Sequence, residues 1–180
     1  MMSGFIFDDG GRAAAGFKGS ADDCVCRSIA IVTGLPYREV YDVLARGTGA
    51  QRKSSRTGKR AASARNGIFV RRKWFRDYIA SLGFRWVPTM QIGKGCTVHL
   101  CAEELPAGRL IVSVSRHYTA MIDGVIHDTF DPRREAWSNV AGPNHPDGDR
   151  EPIAALGETK NVNGVWRPSR RCVYGYWIKE

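Results

Sequence analysis

Ala21-Asp22-Asp23-Cys24-Val25-Cys26-Arg27-Ser28-Ile29-Ala30-Ile31-Val32 is the stretch on which the reading of this chain turns. Two carboxylates precede a cysteine, and mostly apolar residues follow until Gly34 stops the run. The pattern predicts a buried helix over 24–33, with Asp22 or Asp23 as an N-cap that accepts hydrogen bonds from first-turn N–H groups. A thiol in the first turn of a helix feels the positive end of its dipole, which favours the thiolate. Cys26, two residues on, faces another side of that helix and reads as packing.

Working outward, Gly34-Leu35-Pro36 breaks the chain before a second helix over 37–45, where Tyr37, Val40, Tyr41 and Leu44 recur at helical spacing. A third helix is expected over about 70–82, with Trp74, Phe75, Tyr78, Ile79 and Leu82 on one stripe and Gly83 closing it. The pattern then becomes strand-like. Phe84–Val87 alternates, and Val98–Leu100 is a short strand or lead-in. Arg109–Ser115 and Tyr118–Asp123 are the strongest strands. Asp123-Gly124 turns the chain into Val125–Phe130, which Asp131-Pro132 ends. Residues 133–170 are mostly loop in composition, and 171–178 is a last, aromatic strand. Before the first helix, Gly4–Phe7 is one possible short strand. Helices first and strands after predict an α+β fold, its N-terminal helices packed on a C-terminal antiparallel sheet. A chain of 180 residues fits a single domain, 1–180.

Composition narrows the function classes. No apolar run approaches the roughly 18–20 residues of a membrane span, so no membrane partner is expected. The first residues lack the basic start and apolar core of a secretory signal, and the expected address is the cytoplasm. Five scattered cysteines, Cys24, Cys26, Cys96, Cys101 and Cys172, do not form a disulfide framework, and reduced thiols are expected. The formal charge is +9. It is concentrated between Arg46 and Arg76, where eleven basic residues occur without one acid. The Ser-, Thr- and Gly-rich part of this segment, about 46–67, reads as a mobile insertion. Arg52, Lys53, Arg56, Lys59, Arg60, Arg71, Arg72 and Lys73 are its candidate contacts to a polyanion, either nucleic acid or an acidic protein, and Trp74 and Phe75 could add stacking. The plainer reading is a solvated charged face. No sequence-specific nucleic-acid motif accompanies the segment.

A cysteine poised for chemistry needs a base and a group to orient that base. His117 lies at the start of one strong strand and Asp128 lies on the next, across the Asp123-Gly124 turn. Antiparallel neighbours can bring the two to the same end of the sheet. Asp131 is the rival for the acid, with a turn cap before Pro132 as its plainer role. His127 alternates to the other face from Asp128, and His145 sits in a loop. Cys96, His99 and Cys101 supply three soft ligands in a row, whereas a structural zinc site wants four; no metal or other cofactor is assigned.

These residues resemble a family. A helix-borne Cys, then His at a strand start, then Asp on the following strand is similar to the chain order of papain-like cysteine peptidases. Lys18-Gly19-Ser20-Ala21-Asp22-Asp23-Cys24 resembles that family's Gln-Gly-Ser-x-x-x-Cys approach to the nucleophile helix. Asp128-Thr129-Phe130 resembles its Asn-Ser-Trp, in which the aromatic shields the histidine pair. Asp23 to Ile29, with Asp123 to Thr129, is also similar to small papain-fold proteins of phage and bacterial genomes. The resemblance implies a papain-like fold and hydrolysis of a peptide, isopeptide or amide bond in a protein or peptide substrate. Cys24 would be the nucleophile, His117 the base and Asp128 the orienting acid. Lys18 stands where the family has its oxyanion glutamine. A phage-encoded member would work in the host cytoplasm. The alternative is an idle papain-fold protein that binds nucleic acid or an acidic partner through its basic segment. An amidase or a transglutaminase-like transferase would share the triad chemistry.

Overall fold

Helix α1, Cys24–Thr33, forms where the apolar run predicts it. Gly34 ends it in the left-handed conformation, φ 74°, and returns its N–H to the carbonyl of Ala30. Arg109 reaches over from a strand and donates to the carbonyl of Val32 at 3.1 Å, satisfying part of the helix C-terminus. The N-terminus departs from expectation. Asp23 is the N-cap residue, yet its side chain makes no capping hydrogen bond, because Arg12, Arg27 and Tyr37 occupy the carboxylate.

The computed structural model describes residues 4–51, 62–133 and 171–179. Contacts group residues 1–131 with 172–180 in one unit and residues 132–171 in another. The fold of the first unit is α+β. It has β1 (Phe5–Phe7), α1, α2 (Tyr37–Gly49), α3 (Lys73–Ser81), β2 (Phe84–Pro88), β3 (Arg109–Val114), β4 (His117–Ile122), β5 (Val125–Asp128) and β6 (Val173–Lys179).

Helix α2 runs one turn past its expected end, so residues 46–49 are helical rather than part of a loop. The cause is packing against α3. A Cβ at Gly47 would come within 2.3 Å of the Trp74 ring, so only glycine lets the last turn of α2 lie there. The bulk of the basic insertion, 52–61, lies outside the described residues.

The six strands form one sheet in the order β1-β5-β4-β3-β6-β2. The sheet is mixed, where a wholly antiparallel one was expected. The N-terminal strand β1 pairs in parallel with β5, Phe5 to Ile126 and Phe7 to Asp128. Parallel pairing joins segments far apart in sequence, and three residues carry no signature of it. The other pairs are antiparallel.

The central strands of the sheet are covered on both faces. Ile111, Ala120 and Trp177 pack with Val25, Ile29, Val40, Leu44, Phe75 and Ile79 of the three helices. Leu110, Val112, Val114, Met121, Ile126 and Val173 pack beneath Leu100 and Leu105 of the segment between β2 and β3. Burial on both faces explains why β3 reads as a nearly unbroken apolar run, since neither face needs polar residues.

That covering segment carries the second departure. Cys96 and Cys172 form a disulfide, with Cα atoms 5.8 Å apart, where reduced thiols were expected. Their separation of 76 residues hides the pairing in the sequence. The fold creates it by laying 98–99 along the start of β6, where the Val173 N–H donates to the Val98 carbonyl at 2.9 Å and His99 bridges Cys172. Cys24, Cys26 and Cys101 take part in no disulfide. No helix among the described residues is long and apolar enough to cross a membrane.

Candidate active site

Three elements meet at the N-terminus of α1. The helix supplies Cys24, half-buried as the first helical residue. The turn between β3 and β4, Ser115-Arg116, supplies His117 as the first residue of β4. Arg116 adopts φ 57°, rare for a residue with a side chain, and this sharp reversal ends the pairing at Val114–His117. The turn Asp123-Gly124, with φ 48° and 83°, then returns the chain along β5 to Asp128.

His117 Nε2 lies 2.6 Å from Asp128 Oδ2, and both residues are buried. Burial alone would lower the basicity of the imidazole. Hydrogen bonds to Asp128 and to the Cys24 thiol, with their charges, outweigh it and raise the pKa from 6.5 to about 9. Since Nε2 is taken by Asp128, Nδ1 is the ring nitrogen left for Cys24. The Phe130 ring lies over the imidazole, with centroids 4.9 Å apart. Asp128 is itself held: its Oδ1 accepts the Thr129 N–H at 2.7 Å. Asp131, the rival acid, is exposed, and the buried Asp128 holds the histidine.

Cys26 shows the contrast with Cys24. It is wholly buried against the Tyr37 carbonyl. Burial pushes its thiol up to about 12, so it stays protonated and inert.

Lys18 is exposed. Its backbone is what the fold holds: the Lys18 carbonyl accepts Arg12 Nη2 at 3.2 Å and Arg65 Nη1 at 3.5 Å. Arg12 also donates to the Phe17 and Gly19 carbonyls, and Arg65 to the Ser20 carbonyl at 2.7 Å. Two guanidinium groups therefore tether the loop that leads to Cys24. The Gly67 N–H adds a bond to the Asp22 carbonyl at 3.0 Å.

Of the polyanion candidates, Arg52, Lys53, Arg56, Lys59 and Arg60 lie outside the described residues. Arg71 and Arg72 are exposed, and Arg72 lies over the Phe69 ring. Lys73 pairs with Asp77 at 2.7 Å on the surface of α3. His127 faces Asp8, at 3.3 Å, away from Asp128. His145 lies outside the described residues. The Cys96-His99-Cys101 trio is divided: Cys96 is in the disulfide, and His99 Nδ1 lies 3.0 Å from Glu104.

Sequence reasoning missed the residues beneath the site. Asp23 is 1% exposed, and Arg12 Nε, Arg27 Nη1 and the Tyr37 hydroxyl all donate to it. An acid just before a helix reads as a solvent-facing cap, and that pattern carries no sign of burial. The available signal was Arg27, a charge within an otherwise apolar helix that demands a partner. Comparison of the chain with protein-family models, curated proteins and solved structures finds no match.

Proposed function

We propose that this chain is a papain-like cysteine hydrolase acting on an amide, peptide or isopeptide bond of a protein or peptide. The observation that carries the reading is the imidazole of His117, bonded at 2.6 Å to the buried Asp128 carboxylate, with the half-buried helix-start thiol of Cys24 among the groups that raise its pKa. A histidine with a pKa of about 9 holds its proton at neutral pH, and a cation beside a cysteine favours the thiolate nucleophile.

In this reading Cys24 Sγ attacks the carbonyl carbon. The oxyanion that forms is met by first-turn N–H groups of α1, which have no partner inside the helix. Lys18, on the tethered loop, is the candidate second donor. The intermediate collapses to a thioester as the C–N bond breaks, and His117 gives its proton to the departing amine. Water then attacks the thioester, with His117 taking a proton from it. The products are a carboxylic acid and the regenerated thiol. Asp128 keeps the ring oriented throughout, and Phe130 shields the His117–Asp128 pair from water.

An electrophilic amide or peptide-aldehyde probe tests this. Selective labelling of Cys24 over Cys26 and Cys101 that disappears in His117→Ala supports it. Labelling of Cys24 no faster than Cys101, unchanged in His117→Ala, would sink it.

A further inference from the structure

Arg27 is buried in α1, one turn after Cys24, and lies between two buried carboxylates. Nη1 donates to Asp23 Oδ1, and Nη2 stands 3.8 Å from Asp128 Oδ1. The second contact is an ion pair rather than a hydrogen bond. Nε has no hydrogen-bond partner among the described residues. A buried guanidinium with a free donor is costly unless charge surrounds it. Here the surrounding charges form an alternating series. Arg12 meets Asp23, Asp23 meets Arg27, Arg27 meets Asp128, and Asp128 meets His117. From Asp23, the residue before Cys24, the series runs through Arg27 and Asp128 to His117, and so ties α1 to β5 and β4.

We infer that Arg27 is a positioning residue: it fixes the rotation of the Asp128 carboxylate from the Oδ1 side, so that Oδ2 addresses His117. Asp128 carries two oxygens with different duties. Oδ2 holds the imidazole, while Oδ1 takes the Thr129 N–H and faces the guanidinium. Rotating the carboxylate would move a charge away from Arg27, and the buried cation opposes that. The rigidity has a source, because Arg27 is itself anchored by Asp23, and Asp23 by Arg12 and Tyr37. Arginine suits this role and lysine does not, since a fork can face two acids at once while an ammonium is a single point.

The inference rests on reading Cys24, His117 and Asp128 as the working set, yet it is measurable without a substrate. The experiment is an NMR titration of the His117 ring in the full-length protein, in the wild type and in Arg27→Lys, alone and with Asp128→Asn. Arg27→Lys should lower the His117 pKa from about 9 by one unit or more toward 6.5, and the same change in the Asp128→Asn background should shift it by less than a third of that. A folded Arg27→Lys protein whose His117 titrates as in the wild type overturns the inference. So does an equal shift in both backgrounds, which would make Arg27 a charge acting directly on the imidazole. Should Arg27→Lys fail to fold, the Arg27 guanidinium protons decide. Their solvent exchange should quicken at least several-fold in Asp128→Asn, and unchanged exchange overturns the inference. A wild type that titrates as expected but never labels or turns over would defeat the hydrolase reading and leave the role of Arg27 standing.

Discussion

Two regions of this molecule bring distant segments together by opposite means. At the start of α1, segments around Arg12, Asp23, Tyr37, His117 and Asp128 converge through buried charges and hydrogen bonds. Across the sheet, the segment around Cys96 is joined to the start of β6 by a covalent bond. A disulfide restrains position and carries no charge. A network of ionised groups restrains orientation and sets the protonation of its members. The first kind suits a covering segment that only has to stay in place. The second suits a site where a ring must face a sulfur and hold a proton.

Substitutions separate the two regions, beginning with the largest effect. His117→Ala should lower amide turnover by roughly 10²–10⁴-fold, the usual contribution of a positioned acid–base group. Thermal unfolding of the same variant reports whether the loss is one of chemistry or of fold. Asp23→Ala should destabilise the protein by about 3–5 kcal/mol, because it leaves the buried Arg27 and the half-buried Arg12 short of a partner. Urea unfolding measures it, and a loss below about 1 kcal/mol would show that the network under α1 does not carry stability. Cys172→Ser should cost about 2–4 kcal/mol through the unfolded chain. It should leave the rate of Cys24 alkylation unchanged, and a slower Cys24 would break the division between staple and site.

Acidity gives a finer test. The folded protein holds the His117 proton up to about pH 9, while the unfolded chain releases it near the ordinary 6.5. Folded protein therefore binds more protons between those values, and stability must fall as pH rises through that window. The contribution is complete below pH 6.5 and gone above about pH 9. Urea midpoints across this range should decline in the wild type and decline less in His117→Gln. Amide turnover should lose its general acid over the same alkaline limb. The smallest effect belongs to the surface: Lys73→Ala breaks an exposed pair with Asp77 and should change stability by no more than about 0.5 kcal/mol.

Local pattern made much of the fold legible. The α1 run from Cys24 to Thr33 is bounded by Asp23 and Gly34; its course follows from the apolar run and its end from the left-handed Gly34. The β3–β4–β5 meander follows from alternation and the Asp123-Gly124 turn. Meander and helix together are enough to bring His117 to Asp128, since hairpins fix their own register. The parallel strand β1 was legible only as a short strand, because its partner lies more than a hundred residues on in sequence. The helical reach of α2 through Gly49 depends on Trp74 filling the space over Gly47, a contact between helices that composition cannot show.

The sequence by itself determined which residues have chemistry to offer: a thiol at a helix start, a histidine at a strand start and an acid one hairpin later. Each is set by interactions within a few residues, and short-range geometry is written in local pattern. Tertiary structure decided how they are held. It turned Asp23 from a helix cap into the anchor of two arginines, set Arg27 against Asp128, silenced Cys26 by burial and paired Cys96 with Cys172. Those outcomes depend on which segments share the interior, where an unpartnered charge is costly and a buried thiol stays neutral.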